Sequence, residues 1–125
     1  MAGFPDNWPQ NCPPIEAEDA DGVVYRVCSQ NPPSQRDFQS HEELGKRSSG
    51  DPCMRRGLSV FRDLAEARHL TVLFPKLGSK VFRGDLSQEQ GKVKHTPARQ
   101  RPSHTTWWPY EGIERAASFK LIEEG

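Results

Sequence analysis

The stretch Ser103-His104-Thr105-Thr106-Trp107-Trp108-Pro109-Tyr110-Glu111 gathers two of the chain's three Trp residues, one of its four His residues and a carboxylate. Large aromatics with a polar tip suit ligand sites and partner surfaces, where one end of the ring is buried and the other stays wet. Neighbouring side chains leave an extended backbone on opposite faces. Trp107 and Trp108 are therefore expected to divide, one packing as core and the other covering a loop or, in the functional alternative, standing at a groove wall or an interface, with Tyr110 beside them. An imidazole titrates near neutral pH, so His104 is a candidate polar site residue. A second candidate is Arg26, inside Gly22-Val23-Val24-Tyr25-Arg26-Val27-Cys28. Alternation puts Val24, Arg26 and Cys28 on one face of that segment, so the guanidinium faces a groove flanked by small apolar groups.

The elements that must position these residues follow from pattern. The segment 22–28 reads as a strand, closed by the turn signals Asn31-Pro32-Pro33. Ser34 with Asp37 reads as an N-cap opening a short helix that stops at Gly45, with His41 facing inward between Phe38 and Leu44. Residues 46–52 form a polar loop. Gly57-Leu58-Ser59-Val60-Phe61-Arg62 reads as a second strand, and Asp63 with Glu66 as the start of a helix running to about Leu70. Strands are expected over 79–86, 91–94 and 117–122, and a Pro- and Arg-rich loop over 96–103.

This order, with Tyr25-Arg26 on a first strand, Ser59 on a Gly-led second strand, a short helix and then Val81-Phe82-Arg83-Gly84-Asp85-Leu86, resembles the small ADP-ribosyltransferase-like domains over about half the chain. The resemblance implies that Arg26 helps hold NAD and that Ser59 lies beside the nicotinamide ribose. The family's catalytic Glu, often written E-x-E, has no recognisable counterpart. Glu111 is the nearest catalytic candidate, with Glu114 and Glu123 behind it. The acid matters because cleaving a nicotinamide glycosidic bond develops oxocarbenium character that a carboxylate stabilises.

Composition bounds the rest. With 125 residues, 34% of them hydrophobic, 11 Pro and 10 Gly, and a mean hydropathy of −0.82, the chain supports one domain with a small core and many loops. The fold class is α+β: a small, curved, mixed or antiparallel sheet with two or three short flanking helices over residues 23–125. Residues 1–22 form an acidic, proline-rich arm, partly disordered and pinned only by Phe4, Trp8 or Ile15. Cys12, Cys28 and Cys53 are odd in number and lack C-x-x-C spacing, which reads as reduced thiols in a cytoplasmic protein with no metal site. No leader precedes them, and no apolar run is long enough to span a membrane. Charges balance at 17 basic and 17 acidic, yet Lys92, Lys94, Arg99 and Arg101 fall in one basic stretch that suits phosphates.

Three uses follow. The aromatic set suits a non-catalytic interaction module that anchors an unidentified protein partner. The alternative, from the resemblance, is an NAD-binding protein, active or degenerate, with Arg26, Ser59, His104 and the Trp pair around the pocket and NAD the one cofactor implied. The third is single-stranded nucleic acid binding through the basic stretch and the same rings.

Overall fold

The computed structural model describes residues 3–46 and 50–124. Seven strands form one sheet: β1 (Glu18–Asp19), β2 (Gly22–Cys28), β3 (Leu58–Phe61), β4 (Lys80–Leu86), β5 (Lys92–His95), β6 (His104–Trp108) and β7 (Phe119–Glu123). Their spatial order is β1-β5-β6-β3-β2-β4-β7, and the neighbouring pairs are antiparallel. One α-helix, α1 (Leu64–Leu73), and five short 3-10 turns complete the described elements. The architecture is α+β but mostly sheet, with fewer helices than the two or three expected.

The missing helix is the one expected to run from Ser34 to Gly45. Its capping box does form, Ser34 with Asp37, but only a 3-10 turn (Gln35–Phe38) follows, because Gln39 returns to extended geometry at φ −109, ψ 145. Side chains hold the carbonyls that a continuing helix would need. Arg26 Nε donates to the Asp37 carbonyl at 2.9 Å, and Arg115 Nη1 donates to the Phe38 carbonyl at 2.7 Å. His41, expected to face inward, is exposed as a result. Of the polar loop expected over 46–52, residues 47–49 lie outside the described residues.

Helix α1 forms as its cap predicts and runs further than Leu70. The Asp63 side chain accepts from the Ala65 N–H at 2.9 Å, satisfying a donor that the first turn leaves open. Leu64, Ala67 and Leu70, one helical face, pack with Phe61, Val81, Tyr25 and Val27 on one side of the sheet. The main core lies on the other side, where Val24, Leu58, Val60, Phe82, Val93 and Trp107 meet Phe38 and Phe119.

One seam divides the sheet. Strand β2 pairs with β4 along its whole length, Gly22 opposite Leu86 through Cys28 opposite Lys80, yet it meets β3 only where Tyr25 lies opposite Phe61. Beyond that pair the two strands part. Arginines bridge the gap: Arg62 Nη1 reaches the Asp21 and Val23 carbonyls at 2.8 and 3.0 Å, and Arg26 spans it further along.

The amino-terminal arm is docked against the body. β1 pairs with β5, Phe4 stacks on Trp8 and leans on Tyr110, and Cys12 is disulfide-bonded to Cys53. Only Cys28 is a free thiol, and it is buried. This corrects the expected set of three reduced thiols, and the thiol argument for a cytoplasmic location goes with it, since disulfides persist in oxidising surroundings. Among the described residues no helix is long and apolar enough to cross a membrane, and no group of three or more His, Cys, Asp or Glu is placed to hold a metal ion.

Candidate functional site

The seam between β2 and β3 opens into a cleft of about 400 Å³ whose walls include Arg26, Ser59 and His104. Strand pairing brings Ser59 and His104 together, while Arg26, which leaves β2 on the Val24 and Cys28 face, reaches the Ser59 backbone across the seam. Ser59 lies opposite Thr106, and Phe61 opposite His104, so cross-strand partners put the serine, the imidazole and the Phe61 ring on one face. The Phe61 ring meets His104 edge-on at 5.5 Å, which limits the imidazole's orientation.

A chain of hydrogen bonds joins the three residues. Arg26 Nη1 donates to the Ser59 carbonyl at 2.6 Å, and the guanidinium lies 5.4 Å from the Phe38 ring centroid. Nη2 has no partner among the described residues. Burial lowers the Arg26 pKa from its ordinary value while Cys28 and Asp37 raise it. A guanidinium remains charged through such shifts. His104 Nδ1 is 2.9 Å from both the Thr96 carbonyl oxygen and the Thr96 hydroxyl; the carbonyl can only accept, so a ring proton on Nδ1 satisfies it, while the hydroxyl has Thr106 Oγ1 at 2.8 Å as its other partner. Nε2 is then the acceptor, and the Ser59 hydroxyl donates to it at 2.9 Å. Burial lowers the His104 pKa below the usual histidine range; the Thr96 carbonyl and Glu66 act the other way, and Arg101 and His95 add to the lowering. At neutral pH the imidazole is uncharged and able to take a proton.

Charge is unbalanced around this group. Arg36, Lys46 and Arg101 also line the cleft, against one carboxylate, Asp37. Asp37 is engaged elsewhere. Its Oδ1 accepts from the Ser29 N–H at 2.9 Å and the Ser29 hydroxyl at 2.8 Å, and its Oδ2 from the Gln30 and Ser34 N–H groups at 3.3 and 2.9 Å. Arg36, Lys46 and Arg101 have no ion-pair partner among the described residues. Gly57 belongs to the floor, where the absence of a side chain matters: a Cβ there would collide with Thr106 Cγ2.

Other residues singled out in the sequence lie elsewhere. Trp107 and Trp108 are both 0% exposed, which corrects the groove-wall or interface role expected as the alternative for one of them. Strand β6 is flanked on both edges and covered on both faces: Trp107 packs against Phe119 and donates to the Gln90 carbonyl at 2.9 Å. Trp108, on the opposite face, lies under the segment held by the disulfide and donates to the Cys53 carbonyl at 2.9 Å. Neither ring offers a surface. Tyr110 belongs to the Phe4 contact. Glu111 is exposed and outside the cleft, its backbone N–H bonded to the Gly3 carbonyl at 2.8 Å. Lys92 and Lys94 pair with Asp19 and Glu16 at 2.6 and 3.0 Å, and Arg99 is exposed, so Arg101 alone of the basic stretch reaches the cleft.

Arg36, Asp37, Lys46 and Thr96 were not recognised as site residues in the sequence. The first three lie, with His41, on the segment after β2 that folds back over that strand, and the Ser34–Asp37 capping pair announces the turn without saying where it lands. No family model, curated protein or solved structure matches the chain.

Proposed function

We propose that the cleft binds a nicotinamide dinucleotide in the manner of ADP-ribosyltransferase-like domains, with Arg26, Ser59 and His104 around the nicotinamide ribose. The observation that supports this is the convergence of these three residues, joined by hydrogen bonds, on one concave site where the sheet parts. The surplus of cations suits a pyrophosphate: Arg26 keeps Nη2 unpartnered, and Arg36, Lys46 and Arg101 share the walls. Loss of the aromatic surface at Trp107 and Trp108 weakens the interaction-module reading, and the ion pairs of Lys92 and Lys94 weaken the nucleic-acid reading.

Calorimetric titration with NAD tests the proposal. Wild type should give a saturating heat, and Arg26→Ala should weaken binding by about 1.5–3 kcal/mol, the range for hydrogen bonds to a charged group, which is roughly 10- to 150-fold. A flat titration at millimolar NAD, with the fold intact by circular dichroism, would exclude the site.

Partner binding keeps one separate support. Val72, Leu73, Phe74 and Leu77 are 75, 44, 47 and 51% exposed at the end of α1 and the turn after it, and Leu70 and Leu77 reach the cleft wall. An apolar lip beside the cleft suits a protein partner. Phe74→Asp would then weaken partner capture and leave NAD affinity unchanged.

A further inference from the structure

The cleft holds more than a binding arrangement. Ser59 donates its hydroxyl to His104 Nε2 at 2.9 Å, and Nδ1 of the same ring is held by the Thr96 carbonyl at 2.9 Å. A nucleophile, a base and a group that orients the base are the parts that activate a serine. Among the described residues no other base in the cleft is so placed. The carboxylate oxygens of Asp37 are bonded to Ser29, Gln30 and Ser34, and the His41 ring has no hydrogen-bond partner. Ser59 itself is exposed to the cleft and lies on a paired strand that fixes its direction.

We propose that Ser59 is a self-modification site: its Oγ attacks C1′ of the nicotinamide ribose and is left carrying ADP-ribose, with His104 as the base. The identity of the electrophile rests on the dinucleotide reading. The Oγ–C1′ bond forms as the C1′–N bond to the pyridinium breaks. Nicotinamide leaves neutral with the bonding pair, and the serine proton passes to His104 Nε2 and then to solvent. No oxidant, metal or second reactant is needed. The product is an O-glycoside with no activated leaving group, so each chain reacts once and its cleft is then filled by its own product.

The test is incubation of the full chain with NAD, followed by intact mass measurement and peptide mapping. One ADP-ribose per chain, on Ser59, is the expected result. Ser59→Ala should abolish the adduct, and Ser59→Thr should retain a slower one. His104→Gln, which keeps a hydrogen-bonding side chain, should slow the reaction by about 10²- to 10⁴-fold, the range for a general base. With His104 as the base, the wild-type rate should rise with pH through a value below the ordinary histidine range and then level. Around that ring Arg101 and His95 lower this value and Glu66 raises it. Should calorimetry show NAD binding while free ADP-ribose accumulates and Ser59 stays unmodified, water is the acceptor; the proposal then fails and the dinucleotide reading stands. An adduct confined to other residues overturns it equally. Absence of NAD binding in the same calorimeter would overturn both.

Discussion

Arg26 shows how much one residue can organise. Its Nε closes the turn at Asp37, its Nη1 bridges the seam to Ser59, and its face covers the Phe38 ring. Its place facing a groove was legible from alternation along β2, because a period of two needs only the strand to be right. The Trp pair misleads for a related reason. Alternation does send the rings to opposite faces, but a sequence cannot show that both faces of β6 are covered. Cys28 shares the Arg26 face and permits a direct check on packing. It is 0% exposed, and burial pushes its thiol up to about 12, with Arg26 drawing it back and Asp37 adding to the rise. The reactive species is the thiolate. Iodoacetamide at pH 8 should therefore leave the folded chain unlabelled, label one cysteine in denaturant, and label three once reductant is added. Rapid labelling of the native protein would show that the core around β2 opens readily.

At the level of elements, β2, β3, α1, β4, β5 and β7 were all readable, because apolar runs bounded by Gly, Pro or capping residues carry them. Strand β6 was not, although the loop over 96–103 and Pro109 bound it, because its aromatics drew a functional reading, and neither was the two-residue β1 within the arm. The turn after β2 was misread as a helix because capping residues mark a start without fixing a length. Hydrogen bonds from Arg26 and Arg115 end it, and those come from residues distant in sequence. The same turn should be acid-sensitive. Burial raises the Asp37 pKa, but bonds from Ser29 and Ser34 outweigh it and hold the carboxyl below its usual range. Glu43 is held low against its burial by Arg115 and Ser40. A depressed folded pKa stabilises above the unfolded value of about 4 and loses that contribution as pH falls through the folded value. The melting midpoint should therefore drop between pH 5 and pH 2, and Asp37→Asn should narrow that drop while lowering the midpoint at neutral pH. An equal drop in both proteins would place the acid sensitivity elsewhere.

For the whole molecule, the sheet comprises two parts that share one cross-strand pair, Tyr25 with Phe61. The cleft occupies their division, and what keeps the division narrow matters to function. Covalent help comes from the arm, since Cys12 is bonded to Cys53 at a separation of 41 residues, and Cys53 is the residue whose carbonyl anchors Trp108. Met54, next in sequence, is part of the cleft wall. No spacing rule in the sequence could pair Cys12 with Cys53 rather than Cys28, because that choice depends on where the arm docks. Cross-linking a loop of that length removes chain entropy from the unfolded state worth about 4 kcal/mol in the loop-closure account. At about 4 °C per kcal/mol for a domain of this size, Cys12→Ser with Cys53→Ser should melt roughly 15 °C below wild type. The comparison belongs in reductant-free buffer, and adding reductant to wild type should reproduce it. A midpoint within a few degrees of wild type would mean that β1 pairing and the Phe4 contacts with Trp8 and Tyr110 hold the arm unaided. In that case NAD affinity should also be unchanged in the double variant. If the tether holds the cleft wall, affinity should fall with the midpoint even at temperatures where the variant is fully folded.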